Sequence, residues 1–146
     1  WLTRYPDAAS VHLETFAPVG DDWLDGAVGS KWERLRDFRR AVTEAIEPLR
    51  RAKTIGSSNE AVVGINVESA ADVELLGSVD FAELCIVSEV YVTDEPMAGE
   101  FYVDERTKAH LWVTSSKQAR CDRCWRHLPV TPETGLCGRG AEVIEA

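Results

Sequence analysis

The chain has 146 residues, of which 45% are hydrophobic and 28% charged, and a formal net charge of −9 at pH 7. That length suits one domain or two small ones, and the composition supports a packed core and excludes wholesale disorder. No apolar run reaches the roughly 18 residues of a membrane span, and no basic-then-apolar leader opens the chain, so a cytoplasmic location without a membrane partner is expected. The opening Trp1-Leu2-Thr3-Arg4-Tyr5-Pro6 reads as the middle of a longer polypeptide, and we expect a fragment.

Residues 1–20 read as irregular. Ser10 to Phe16 alternates in polarity and predicts an extended segment, ending at Ala17-Pro18-Val19-Gly20. A long helix follows, with Asp21 or Asp22 as its expected cap. Leu24, Val28, Trp32, Leu35, Phe38, Val42, Ile46 and Leu49 recur at steps of three and four, which is a one-sided helical stripe. Gly26 and Gly29 predict a break near Gly29-Ser30, and Pro48 predicts a kink or an end. So long an amphipathic helix needs helical partners, which we expect upstream of Trp1. Its other face carries Arg34, Arg36, Arg39, Arg40, Arg50, Arg51 and Lys53. Glu33, Asp37, Glu44 and Glu47 stand three or four residues away and offset some of them.

Beyond the turn Ile55-Gly56-Ser57-Ser58 the pattern changes. Ala61–Val67 predicts a strand, and Ser69–Leu76 a short helix capped by Ser69. Phe81–Leu84 predicts a further helical turn, and Leu84–Val92, Glu100–Val103 and His110–Thr114 predict strands. The expected class is α+β: a long amphipathic helix ending a helical bundle (1–54), a small mixed sheet with short helices (55–116), and a knuckle-like tail (117–146).

The tail is short of apolar residues, so something other than a core must hold it. Cys121-x-x-Cys124 has the spacing that lets a tight turn bring two thiolates to one Zn²⁺, and Cys137-Gly138-Arg139-Gly140 has the shape of a second knuckle. A cysteine at position 140 would complete a four-thiolate site. Position 140 is Gly, and His127 is the nearest spare ligand, with water or a thiol from another molecule as alternatives. A collapsed relic without metal and a redox Cys-x-x-Cys are the competing readings. Cys85 lies in the apolar run Leu84–Val87 and reads as an inert core residue.

Charge is unevenly placed. Residues 60–105 hold twelve acids and no Lys or Arg, residues 31–59 hold eight basic and four acidic residues, and residues 106–120 hold four basic residues and no acid. Local field, not the sum, governs phosphate binding, so the basic helix face and the basic tail are candidate polyanion contacts; solvated surface is the plainer reading. Around the knuckle stand Lys117, Arg120, Arg123, Arg126 and Arg139. Trp125 among them either stacks on an unpaired base or covers the metal. No Gly-rich phosphate loop and no catalytic set is visible.

These residues resemble one family. Cys121-x-x-Cys124-Trp125-x-His127 with Leu136-Cys137-Gly138-Arg139 is similar to the zinc-binding C-terminus of bacterial isoleucyl-tRNA synthetases. Phe38-Arg39, Glu47, Arg50, Lys53 and Ile55-Gly56-Ser57-Ser58-x-Glu60-Ala61 resemble that family's segment leaving the anticodon-binding helices. Ser10-Val11-His12-Leu13 and the paired Trp23 and Trp32 agree. The resemblance implies a monomeric ligase that joins isoleucine to its tRNA, with the ATP site and editing domain upstream. This region would hold tRNA through Arg36, Arg39, Arg40, Arg50, Arg51, Lys53, Arg120, Arg123, Trp125, Arg126 and Arg139, and Zn²⁺ through Cys121, Cys124, Cys137 and His127. Asn59 stands where the family usually has Leu, Pro48 interrupts the long helix, and Gly140 replaces the fourth ligand. The alternative function is a zinc-stabilised protein-interaction module without enzymatic role.

Overall fold

The structure, a computed structural model, describes residues 1, 3–95 and 99–145. Helix α1 runs unbroken over Gly26–Arg51. Its cap is Asp25, not Asp21 or Asp22, because Asp25 Oδ1 accepts the N–H groups of Ala27 and Val28 at 2.9 and 3.0 Å. Asp21 and Asp22 belong instead to a 3₁₀ turn, Asp21–Trp23. Gly26 and Gly29 do not break the helix, since 22 further helical residues carry it past them and its second half is anchored by burial. Pro48 sits in the last turn, as an end signal should; Thr54 N–H closes that turn on Leu49 C=O at 2.9 Å, with Lys53 at φ +56°.

The stripe on α1 is only half covered. Leu35, Phe38, Val42 and Ile46 are buried, whereas Val28 and Trp32 are open, and Leu24, expected at the head of the stripe, precedes the helix and is 76% exposed. The expected extended segment at Ser10–Phe16 is a 3₁₀ turn at Val11–Leu13, exposed throughout, because Ser10 Oγ accepts the His12 N–H and no strand among the described residues pairs with it.

Four strands form one mixed sheet in the order β2-β1-β4-β3, where β1 is Ala61–Asn66, β2 Glu89–Thr93, β3 Tyr102–Val103 and β4 His110–Ser115. Strand β1 pairs parallel to β2 and antiparallel to β4, and β3 pairs antiparallel to β4. Helices α2 (Ala70–Gly77) and α3 (Phe81–Cys85) make the crossover from β1 to β2. One apolar cluster joins α1, β1, β4 and the crossover, with Ile55, Val63, Ile65, Leu76, Phe81, Val87 and Leu111 at its centre. Cys85 belongs to it, and burial pushes its thiol up to about 12.

The predicted strand Leu84–Val92 is corrected at its start. Leu84 and Cys85 belong to α3, because Asp80 caps that turn by accepting the Glu83 N–H at 2.8 Å, and Ile86 ends it at φ +58°. A short buried apolar run is compatible with either helix or strand, and the cap decides. Glu100–Val103 is likewise extended only at Tyr102–Val103. Among the described residues no helix is long and apolar enough to cross a membrane.

In the middle of the sheet Gly64 opposes Trp112, whose indole lies over the glycine: a Cβ there would stand 2.1 Å from ring atoms. At the sheet edge, buried Asp104 accepts Thr107 N–H and Thr107 Oγ1 at 2.8 Å each and pairs with Arg106. Arg106 also reaches Glu44 of α1 at 2.8 Å, and Glu44 accepts the Tyr102 hydroxyl. Burial pushes the Asp104 carboxyl up, but the Arg106 and Thr107 hydrogen bonds outweigh it and hold the group below its ordinary value; Tyr102 and Arg106 hold Glu44 down. Both carboxylates therefore contribute stability that is fully present above their unfolded-state values and is lost as pH falls below those and through the lowered folded-state values. Asp104→Asn should show a smaller loss of urea midpoint between neutral pH and about pH 3 than the parent chain does.

Candidate metal centre and its cationic surroundings

The tail leaves β4 at Ser116, whose N–H donates to Glu60 C=O at 2.7 Å. Residues 120 to 127 then form a tight loop closed by an antiparallel bridge between Arg120 and His127. Within it Cys121 N–H donates to Arg126 C=O and Trp125 N–H to Cys121 C=O, both at 2.9 Å. Trp125 takes the left-handed φ of +63° that this return demands. A second loop, Thr131 to Leu136, returns the chain to the first, and Asp122 N–H donates to Gly135 C=O. Gly135 has φ +68°, and a Cβ on it would meet the Asp122 carboxylate at 2.5 Å, so that corner needs glycine. Helix α4 (Gly138–Glu145), which the sequence pattern did not suggest, begins directly after Cys137.

These loops gather three thiols. The Sγ atoms of Cys121, Cys124 and Cys137 all lie within 4.8 Å of one another, and Cys124 and Cys137 stand 3.7 Å apart. Tetrahedral bonds of about 2.3 Å require sulfur–sulfur edges of about 3.8 Å, so the trio fits three corners of a metal site. Backbone groups already face the sulfurs: Cys137 N–H points at Cys121 Sγ at 3.3 Å, and Gly140 N–H at Cys137 Sγ at 3.4 Å. Burial pushes the Cys121 thiol up, but the N–H groups of Cys124, Cys137 and Arg123 outweigh it and bring it down to about 6. Burial and the neighbouring Cys121 and Cys137 sulfurs push Cys124 the other way. Three thiolates this close repel one another unless a cation sits among them, which is the electrostatic logic of a metal centre. The Cys121–Cys124 turn does not open a helix, contrary to what a redox motif needs.

His127, expected as the fourth ligand, is not in the group. Its Nδ1 lies 3.0 Å from Gln118 C=O and its backbone N–H donates to Ser88 Oγ at 2.7 Å, because the bridge to Arg120 carries it toward the sheet. Gly140 is there instead: a Cβ built on it would stand 3.2 Å from Cys121 Sγ and 3.5 Å from Cys137 Sγ.

The tail docks on the crossover through contacts between residues distant in sequence, which no local pattern reveals. Buried Ser88 donates through Oγ to Asn59 C=O while accepting the His127 N–H. Arg126 donates to Ser88 C=O at 2.7 Å and faces Asp80 at 3.9 Å; its side chain is 16% exposed, and its Nε finds no partner among the described residues. Arg126 is therefore a tether rather than an open cation. Arg139 pairs with Glu83 of α3 at 2.7 Å but stays exposed. Arg123, Arg126 and Arg139 line one cavity of about 390 Å³ together with Cys124, Glu83, Asn59 and the side chain of Ile86.

On α1, Arg40 and Arg50 pair with Asp37 and Glu47 one turn back, and Arg39 Nε donates to Leu84 C=O at the end of α3. Arg36, Arg51, Lys53, Arg120 and Arg123 are exposed and make no ion pair among the described residues. Trp125 is 61% exposed, so its ring is open to solvent and does not bury the thiols.

No family model matches the chain. Among curated proteins it is similar to the isoleucine–tRNA ligase of Zymomonas mobilis, with 43% identity over 145 residues, which is 99% of this chain and 14% of that protein. The isoleucine–tRNA ligases of Agrobacterium fabrum and Mesorhizobium japonicum are 39% and 37% identical over 92% and 87% of the chain, again spanning only 14% and 13% of their own length. The chain thus corresponds to about a seventh of the relatives it matches.

Proposed function

The chain is a homologue, along nearly its whole length, of one segment of the bacterial isoleucine–tRNA ligases, and from that premise we propose that it is the C-terminal, tRNA-holding part of such an enzyme. The parent would couple ATP cleavage to joining isoleucine to its tRNA in the cytoplasm, as a monomer, with the catalytic and editing sites in other parts of the polypeptide. This part would act by holding the RNA in register, since positioning a substrate by remote contacts lowers the cost of reaching the transition state.

The observation that carries the RNA-binding reading is the open face of the thiol clasp. Arg120 and Arg123 are free of carboxylates among the described residues, and exposed Trp125 stands between Arg123 and the tethered Arg126. Guanidinium groups neutralise phosphates and a free indole stacks on an unpaired base. Arg36, Arg51 and Lys53, on α1 and just past its end, supply further charges unpaired among the described residues, and Arg39, Arg40, Arg50 and Arg139 are available at the cost of local contacts. A structural Zn²⁺ held by Cys121, Cys124 and Cys137 would keep the clasp closed, in keeping with a thiolate ligand set.

Phosphate contacts predict that tRNA affinity of the intact parent enzyme falls steeply with salt. Arg123→Ala should weaken binding and reduce the slope of log affinity against log salt by about one. Deleting residues 117–146 without any change in tRNA affinity would sink this reading. The exposed Val28 and Trp32, with Leu24 just ahead of the helix, support a companion role for the first half of α1, as the seat of upstream domains of the same enzyme.

A further inference from the structure

We infer that the cavity between the end of α3 and the thiol clasp seats a single unpaired nucleotide of the RNA, with its base against Ile86 and its phosphate on Arg123 and Arg139. This deepens the RNA-binding reading above and rests on it, naming the place where one base is held. The cavity has a volume of about 390 Å³, near the lower end of the range of about 300–1,000 Å³ for small-molecule sites. That is room for one nucleotide and not for a duplex.

Ile86 singles this cavity out. It ends α3 at φ +58° and ψ +48°, a left-handed conformation that glycine takes freely and a β-branched residue resists. Burial does not compensate for the strain, since the residue is 54% exposed and lies outside the apolar cluster. An isoleucine held at a glycine-type position, on the wall of a cavity, supplies an apolar face to whatever enters. Strain of this kind gathers where ligands are held.

The rest of the wall supplies the polar half of a nucleotide site. Asn59 lines it; its carbonyl accepts from Ser88 Oγ, and its side-chain amide makes no hydrogen bond among the described residues, which leaves it for a base edge. Arg123 has no carboxylate partner among the described residues. Arg139 shares its guanidinium with exposed Glu83 at 2.7 Å, a partner that a phosphate can replace. Arg126 lines the same wall, and its buried Nε lacks an acceptor among the described residues. A bare phosphate would engage the arginines alone and leave Ile86 and Asn59 without a role, whereas a nucleotide engages them all.

The test uses the intact parent enzyme with its isoleucine tRNA as the probe. It reads affinity across a salt series, hydroxyl-radical footprints on the RNA, and amide exchange over α3. Ile86→Gly should weaken tRNA binding at least about fivefold, the share of one or two apolar groups, without altering the salt slope. Protection should be lost at one unpaired nucleotide, and exchange over α3 should be no faster, because glycine suits the left-handed turn. Ile86→Asn accepts that turn as well but presents no apolar face, and should lose affinity alike. Glu83→Gln frees Arg139 and removes a negative charge facing the phosphate, and should tighten binding about threefold. Unchanged affinity in Ile86→Gly or Ile86→Asn overturns the inference. So does protection lost at many nucleotides, a Glu83→Gln variant that binds no tighter, or faster exchange over α3 in Ile86→Gly, which would mark the isoleucine as a residue of the fold. In each of these cases a salt slope lowered by Arg123→Ala leaves the RNA-binding reading standing; a slope and affinity untouched by Arg123→Ala remove both.

Discussion

Gly64→Ala should destabilise the chain by about 3 kcal/mol, the upper part of the range for inserting a methyl group into a packed site. The added Cβ would lie 2.1 Å from Cε2 and Nε1 of Trp112 and 2.6 Å from Cζ2, well inside van der Waals contact. The two residues are directly paired across β1 and β4, so neither backbone can withdraw without breaking the ladder between Ala61 and Asn66. Alternation along β1 places Gly64 on the opposite face from Val63 and Ile65, both fully buried, and sliding the strand to relieve the clash would expose that pair. The remaining escape is rotation of the indole away from the sheet. Urea unfolding of the single variant should show a clear fall in midpoint, and adding Trp112→Ala should return much of it, a coupling that identifies the ring as the cause. A single variant as stable as the parent would mean that the indole moves freely.

On the proposed reading of the thiol trio as a Zn²⁺ site, removing the metal should release the tail while leaving the sheet folded. Structural zinc contributes apparent binding energies of about 10–16 kcal/mol in small domains with complete ligand sets, and three thiolates should deliver a smaller but still dominant share here. Apart from the docking of Arg126 and His127 on Ser88, little holds residues 120–137: the buried residues among them are Cys121 and Cys137, and one backbone hydrogen bond, Asp122 N–H to Gly135 C=O, links the two loops. Treatment with a strong chelator should therefore raise amide exchange at Cys121, Asp122, Trp125 and Gly135. The amides of β1 and β4, packed into the apolar cluster with α1, should stay protected. Cys121→Ser should reproduce the effect without chelator, because this sulfur is fully buried and receives the Cys137 N–H. Unchanged exchange in the tail after chelation would show that the docking contacts at Ser88 and Arg126 suffice.

Much of the fold is legible along the chain because its signals are local. The stripe from Leu35 to Leu49 repeats with the helical period, Ser69 caps α2 as its position suggests, and Ala61–Asn66 and His110–Ser115 carry the β-branched and aromatic runs of paired strands. The misplaced pieces are those where two local signals compete. Asp21, Asp22 and Asp25 are all chemically able to cap α1, and the one adjoining the continuous hydrogen-bond ladder does so. Leu84 and Cys85 suit helix or strand, and the Asp80 cap takes them into α3.

The candidate site divides in the same way. The spacing of Cys121, Cys124 and Cys137 was sufficient to bring the thiols together, because tight knuckle turns are made by a few neighbouring residues. Arg126 and Arg139 read from sequence as interchangeable cations, yet one is a half-buried tether to Ser88 and Asp80 and the other an exposed partner of Glu83.

By itself, then, the order of residues determined the helix, the strands, the thiol trio and the kinship with the isoleucine–tRNA ligases, since each depends on groups a few positions apart or on identity along the chain. Only the folded arrangement decided that His127 turns to the sheet, that Gly140 lies against the sulfurs, and which guanidinium groups remain open to a phosphate. Those outcomes depend on contacts between distant segments, as between Glu83 and Arg139, 56 residues apart. A side chain's charge is set by its chemistry, but its availability is set by whatever the rest of the chain packs beside it.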